Sequence, residues 1–263
     1  MMKLTTVLFD FDGTLSTLRA GWEEVMIPFM KESIVGQATL SPEEEAALER
    51  EIDAYVDEST GIQTVYQMRW LAETVRSKGW NTTVLDEWEY KAEYNRRLLL
   101  QVKERVLKLE QGELRAEDYL MKGSVAMLDR LQRAGVEMYV ASGTDHPDVV
   151  REAQVLGVAH YFKEIVGAPV GLAECSKEKV LEDLLVTNQL EGQQLAVIGD
   201  GKVEIGLAKQ RGALAIGLAS DELLREGINP LKQARLEKAG ADWIIGDFQD
   251  MQQWSARLGL SEE

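Results

Sequence analysis

Two carboxylates one residue apart, in Leu8-Phe9-Asp10-Phe11-Asp12-Gly13-Thr14-Leu15, follow an apolar run from Leu4 to Phe9 that reads as a buried strand. Alternate side chains of an extended chain point the same way, so Asp10 and Asp12 start out on one side of a strand's carboxyl end. That is the edge where open α/β sheets bind ligands. Two carboxylates so close repel unless a cation lies between them or one keeps its proton. The chemistry is that of a metal-assisted nucleophile with an acid/base neighbour.

Three later segments belong with this one. Tyr139-Val140-Ala141-Ser142-Gly143-Thr144 is a strand ending in a hydroxyl followed by glycine. Lys177 stands at the start of a helical stretch, with Lys179 as its competitor. Val197-Ile198-Gly199-Asp200-Gly201-Lys202-Val203-Glu204 is another strand ending in an acid, with a second acid four residues on. In a parallel sheet these ends share one rim, which gathers carboxylates, a hydroxyl, backbone N–H groups and an ammonium. Hard oxygen ligands with open positions select Mg²⁺, which binds through one or two carboxylates plus substrate phosphate. An ammonium and a hydroxyl suit the remaining phosphate oxygens. One carboxylate can attack phosphorus and form an acyl phosphate, while a second moves the proton of the leaving alcohol. Lys202 is a candidate for a second phosphate-facing charge, its alternative being simple exposure to solvent.

The elements that must position these groups alternate. Strand-like runs at Val136–Ala141, Glu164–Val166, Leu195–Ile198, Leu214–Leu218 and Trp243–Ile245 are separated by helical stretches at Ser124–Ala134, Pro147–Leu156, Lys177–Thr187 and Glu204–Gln210. Glycines at 135, 157 and 212 suit helix ends. The fold class is therefore α/β, a Rossmann-like parallel sheet that includes the first strand. Residues 17–115 differ, with almost no strand signal. Ser41-Pro42-Glu43-Glu44 is a capping box with proline at the first helical position, opening a helix toward Gly61. Gln63–Lys78 gives a second helix, and Leu85–Gln111 a third of about 40 Å, closed by Gly112. The organisation is a discontinuous α/β core, residues 1–16 and 116–263, with an all-helical domain inserted at 17–115. The glutamates from Glu43 to Glu51 read as a solvated helix face.

Composition bounds the partners. At 263 residues the chain can bury a full core; it is 45% apolar, 28% charged and carries a formal net charge of −16. Such a field repels nucleic acid and anionic membrane, so neither is expected as a partner. An anionic substrate would need locally placed positive charge. The single cysteine, Cys175, allows no internal disulfide and reads as a small packing residue. With no apolar segment of signal or membrane length, the reducing cytosol is the expected home. Two histidines, His146 and His160, cannot make a histidine-rich metal site; His160 reads as structural and His146 as a site candidate behind the Ser142 loop.

With its four ordered motifs, the chain resembles the haloacid dehalogenase superfamily of aspartate-dependent phosphohydrolases, in the subgroup whose helical cap is inserted just after the first motif. The resemblance implies that Asp10 is the nucleophile that becomes phosphorylated. Asp12 would be the general acid/base, its backbone carbonyl also a Mg²⁺ ligand. Thr14 would support the turn at the phosphate, Ser142 and the Gly143 N–H would bind phosphate, and Lys177 would be the third-motif lysine, followed by Val180 and Leu181 at helical spacing. The metal site would comprise Asp10, Asp12 and Asp200, with Glu204, where many members carry aspartate, reaching the ion through a bound water. Dehalogenating members lack an acid at the Asp12 position, because halide leaves without a proton, and phosphonate-cleaving members replace it. Its presence implies phosphate-ester chemistry on a small phosphorylated metabolite, of phosphoglycolate or sugar phosphate type. A phosphomutase of the β-phosphoglucomutase type would use the same aspartates, and a non-catalytic regulatory protein could share the fold.

Family caps close over the phosphate and read the leaving group. Arg19 and Trp22, near the hinge, are candidate substrate contacts; the alternative is a packed Trp22 and a solvated Arg19. Gly61-Ile62-Gln63-Thr64 is a candidate substrate loop or an ordinary helix link, and Tyr66, Met68, Trp70 and Trp88 read as cap core.

Overall fold

The computed structural model describes residues 4–60, 62–170, 186–189 and 192–259. In chain order these form β1 (Thr6–Phe9), α1 (Trp22–Val35), α2 (Pro42–Ser59), α3 (Thr64–Lys78), α4 (Glu87–Glu110), α5 (Ser124–Arg133), β2 (Glu137–Asp145), α6 (His146–Val155), β3 (Glu164–Ala168), β4 (Leu195–Gly199), α7 (Lys202–Gln210), β5 (Leu214–Leu218), β6 (Ser220–Asp221), β7 (Glu226–Ile228), α8 (Pro230–Ala239), β8 (Trp243–Ile245) and α9 (Met251–Leu258). Two compact units divide the chain: Met1–Ala20 with Arg105–Glu263, and Gly21–Glu104. The division falls four residues inside the limit of 17 and eleven inside the limit of 115 drawn from the sequence.

The first unit is built on a six-stranded sheet in the order β3-β2-β1-β4-β5-β8. Every neighbouring pair in it is parallel. Strands with both faces covered read as continuous apolar runs, which is why the sequence exposes them so plainly. Val7 and Phe9 are fully buried, and Leu8, Tyr139, Val197 and Ala215 join Ile205 and Leu236 in the core. Each large side chain so buried contributes about 1.5–3 kcal/mol. The sheet is the Rossmann-like α/β core that the sequence implies.

The structure adds elements that periodicity did not reveal. β6 and β7 form a separate antiparallel pair of two and three residues, too short to alternate visibly. α1 carries Pro28 in its interior, a residue that reads as a helix breaker in sequence. α8 opens on Asn229, whose side chain accepts the Leu231 and Lys232 N–H groups, with Pro230 at the first helical position.

The second unit is all helical as far as it is described. Its core holds Met26, Phe29, Met30 and Ile34 of α1, Leu48, Ile52 and Val56 of α2, Met68, Leu71 and Val75 of α3, and Tyr90, Tyr94 and Leu98 of α4. The Ser41 capping box forms as expected: Ser41 Oγ accepts the Glu44 N–H, and Glu44 Oε2 accepts the Ser41 N–H at 2.8 Å. The reading of four residues as cap core is corrected for three of them. Met68 is fully buried, but Tyr66, Trp70 and Trp88 keep part of their surface in solvent. Trp70 stacks on Tyr55 with centroids 4.0 Å apart, and the Lys91 ammonium lies 5.6 Å from the Trp88 ring. Amphipathic rings of this kind pack one face and leave an edge wet. No described helix is long and apolar enough to cross a membrane.

Candidate active site

The chain starts in the middle of the sheet, moves outward through β2 and β3, and returns to β4 on the other side of β1. Strand order therefore reverses between β1 and β4, and crevices at such switch points, beyond the strands' carboxyl ends, are where ligands bind. Asp10 directly follows β1, and Asp200 directly follows β4; both are buried, at 5% and 6% exposure. The Asp10 N–H donates to the Ile198 carbonyl at 2.8 Å, so the ladder reaches up to the first carboxylate.

Beyond Asp10 the backbone folds over itself. The Phe11 carbonyl accepts the N–H groups of Thr14, Leu15 and Ser16, and the Gly13 N–H donates to the Ser16 carbonyl at 2.9 Å. Gly13 sits at φ +72°, in the left-handed region. It is required for a second reason: a Cβ there would fall on Asp200 Oδ2 and lie 3.2 Å from Glu222 Oε1. The Asp200 carboxylate thus rests on the bare backbone of the β1 turn. Thr14 is wholly buried, and its Oγ1 has no hydrogen-bond partner.

Asp12 is gripped from β2. Thr144 Oγ1 donates to Asp12 Oδ2 at 2.7 Å, and Ser142 Oγ donates to the same oxygen at 3.2 Å while accepting the Thr144 N–H at 3.0 Å. A register shift in the β2–β3 pairing makes this reach possible, because four steps along β2 from Ala141 to Asp145 face two along β3 from Val166 to Ala168. A bulge of this type re-aims side chains at a strand end. Gly167 accommodates it; a Cβ there would lie 2.6 Å from the Thr144 carbonyl oxygen. Asp12 Oδ1 is buried and accepts no hydrogen bond. Ser142 was expected on phosphate; in this structure its hydroxyl holds Asp12, and Thr144, which the sequence placed in the same loop without a role, is the closer partner.

Arg19 lies against that remaining oxygen, its Nε 3.7 Å from Asp12 Oδ1. It is buried at 9% exposure and grips Glu152 of α6 through Nε at 3.1 Å and Nη2 at 2.6 Å, with Asp148 Oδ2 3.7 Å away. Burial works against the Arg19 charge, but Glu152, Asp12 and Asp148 outweigh it and hold the guanidinium above its ordinary value. Burial pushes Glu152 up to about 7, helped by the Asp12 and Asp148 charges and resisted by Arg19. Arg19 is therefore neither solvated nor idle; it is committed to an ion pair at the edge of the Asp12 site.

On the Asp200 side stands a residue that no local pattern singles out. Lys232, in the first turn of α8, places Nζ 2.9 Å from Asp200 Oδ2 and 2.5 Å from Glu222 Oε1. Burial alone would lower this ammonium's pKa, but the two carboxylates reverse the shift and keep it charged. Glu222 sits in the turn between β6 and β7, where Asp221 Oδ1 accepts the N–H groups of Leu223 and Leu224. The Asn229 cap and the proline after it mark α8 in the sequence, but nothing local ties Lys232 to Asp200.

Glu204 is 2% exposed, and a Cβ on Gly199 would lie 2.5 Å from its Cγ, so its stem packs on β4. With Asp10 it lines a cavity of about 10 Å³ among Leu8, Ala141, Val197 and Leu207, close to the space one water needs. Of the other expected residues, Lys177, Lys179, Cys175 and Gly61 lie outside the described ones. Trp22 begins α1 in the second unit and is half-buried. Gln63 is buried with its amide atoms unpaired. Lys202 is half-buried, and the Gly143 backbone is partly open. His146 is exposed, and its Nδ1 accepts the Gly167 N–H at 3.3 Å.

Among the described residues no three His, Cys, Asp or Glu side chains gather closely enough to cage a metal ion by themselves. A Mg²⁺ ion asks for less, since it keeps several waters and takes only one or two carboxylates. The donors present fit it: Asp10 and Asp200 end adjacent strands, and the glycine at 13 leaves the turn bare where the Asp200 carboxylate rests.

A model of the haloacid dehalogenase-like hydrolases matches residues 4–212, and the chain belongs to that family. Solved structures share the fold. A predicted phosphoglycolate phosphatase from Haemophilus somnus 129pt is 19% identical, with TM-score 0.65, over 97% of this chain and 99% of that one. The β-phosphoglucomutase of Clostridium difficile is 13% identical, with TM-score 0.65, over 97% of each chain. The HAD-hydrolase YfnB of Bacillus subtilis, bound to magnesium, is 14% identical, with TM-score 0.56, over 98% and 100%. No curated protein matches the chain.

Proposed function

We propose that this hydrolase is a Mg²⁺-dependent phosphatase of small phosphate monoesters, working through an aspartyl-phosphate on Asp10. The observation that carries the reading is the Asp12 carboxylate. Its Oδ2 is fixed by two hydroxyls, and its Oδ1 accepts no hydrogen bond, which leaves one oxygen for proton transfer. Asp10 attacks phosphorus and Asp12 gives its proton to the leaving alcohol; Asp12 then takes a proton from the water that hydrolyses the acyl phosphate. Asp10, Asp200 and the Asp12 carbonyl would hold Mg²⁺, and Glu204 would act through a water; the ion supplies charge stabilisation on the transferring phosphoryl group. The chemistry of the family and the magnesium bound to the Bacillus subtilis relative support this assignment. Lys177, Ser142 and the Gly143 N–H would face the phosphate, with Thr14 supporting the turn beneath it and Arg19 beside Asp12. The substrate would be a small phosphorylated metabolite in the cytosol, with no nucleic acid or membrane partner.

Hydrolysis of p-nitrophenyl phosphate with Mg²⁺ tests the reading. Asp10→Asn should abolish turnover, and Asp12→Asn should lower it by about 10²–10⁴-fold. Full activity in Asp10→Asn would end the proposal. Isomerisation of a sugar monophosphate without phosphate release would turn it into a mutase. Failure of Mg²⁺ and beryllium fluoride to form an adduct at Asp10 would favour a non-catalytic role.

A further inference from the structure

We infer that Lys232 and Glu222 are a charge pair that sets the divalent-cation affinity of the site, Lys232 weakening it and Glu222 strengthening it. The inference rests on Asp200 being a metal ligand, as proposed above. One ammonium is shared between two carboxylates, at 2.9 Å from Asp200 Oδ2 and 2.5 Å from Glu222 Oε1. All three groups are largely buried, with side chains 12%, 8% and 16% exposed, so water screens them little.

The arrangement is imposed by the fold around it. A lysine in the first turn of a helix opposes the helix dipole, which favours anions there. Asn229 and Pro230 fix that turn, so the ammonium is delivered to Asp200 at a cost that the two carboxylates offset. Glu222 is equally fixed. Its turn is closed by the Arg225 N–H donating to the Asp221 carbonyl at 2.7 Å, and Arg225 Nη1 donates to the Leu120 carbonyl at 3.3 Å. Glu222 Oε1 also faces the bare backbone of Gly13, in the turn that carries Asp12.

A dication approaching Asp200 meets a positive charge already on Oδ2. Whether Lys232 stays there or shifts wholly onto Glu222, its charge opposes the metal. Glu222 favours the metal twice, through its own charge and as the second berth for the ammonium. Groups behind metal ligands change affinity by about 10–100-fold when removed. A pair that merely braced Asp200 would behave differently, because loss of either member would loosen the ligand and weaken binding.

The sign of the change decides. Mg²⁺ affinity is measured by calorimetry and Mn²⁺ affinity by electron paramagnetic resonance, on the full chain at neutral pH without substrate. Lys232→Met should bind either ion about tenfold more tightly, and Glu222→Gln about tenfold more weakly. Should Lys232→Met fail to fold by circular dichroism, the same question is put on the neutral background: K232M/E222Q should bind more tightly than E222Q. Unchanged or weaker binding on loss of the lysine overturns the inference while leaving the phosphatase reading intact. A wild-type chain that binds neither ion overturns both.

Discussion

Two lysines in this molecule make nearly the same contacts in opposite surroundings. Lys31 of α1 places Nζ 2.6 Å from Glu45 Oε1 and 2.7 Å from Glu49 Oε1 of α2, with carboxylates half exposed. Lys232 places Nζ 2.9 and 2.5 Å from Asp200 and Glu222, among side chains almost closed to water. The distances do not distinguish the two clusters; desolvation does. In water an ammonium and two carboxylates gain little by meeting, and salt removes much of that. In a closed site each charge depends on the others, and removing one leaves a buried charge without its partner. The first cluster joins two helices at their wet edge. The second lies beside the groups proposed for chemistry.

Mutation puts that contrast to the test. The largest effect is expected at Lys232: in chelator, Lys232→Met should cost about 3–5 kcal/mol of unfolding free energy in urea titrations, and added Mg²⁺ should recover part of it. A cost below about 1 kcal/mol would make the buried cluster behave as a surface pair and erase the contrast.

A smaller effect belongs to Glu152, the buried acid across the site, which burial raises from 4.5 to about 7. Between those values the folded protein holds a proton that the unfolded chain has released. The contribution of this group to stability therefore falls as pH rises through that window, by at most about 1.4 kcal/mol per pH unit. Glu152→Gln should remove this slope, read as the difference between the two proteins' stability curves from acid to neutral pH. Parallel curves would show that Arg19 fully compensates the buried charge. The smallest effect is expected at Lys31, where Lys31→Met should leave the thermal midpoint unchanged; a clear loss would show that the wet cluster carries weight after all.

Much of this was legible in the chain. Asp10, Asp12 and Asp200 follow apolar runs that read as buried strands, and a buried parallel strand delivers the residue after it to the ligand-binding edge. The helical insert was readable from the Ser41 capping box and the long amphipathic stretches. The boundaries of β2 were not, because its last residues, Ser142 to Asp145, are polar and owe their extended form to a bulge against Gly167. Ser142 read as a phosphate ligand because a hydroxyl at a strand end suits one; its 3.2 Å contact with Asp12 could not be read, because the turn beyond β1 creates it. Three of the four residues assigned to the cap core keep part of their surface in solvent, since helical spacing finds a face but does not say how deeply an amphipathic ring sinks into it.

The residues at the ends of the strands, and with them the chemistry open to the site, are written in the chain's own pattern. The company those residues keep comes from packing: Thr144 on Asp12 across 132 positions, Arg19 on Glu152 across 133, Lys232 on Asp200 across 32. The reason is physical. Periodicity and capping record what neighbours along one element do to each other, whereas a contact between elements is fixed by how their faces pack, and no local pattern stores that.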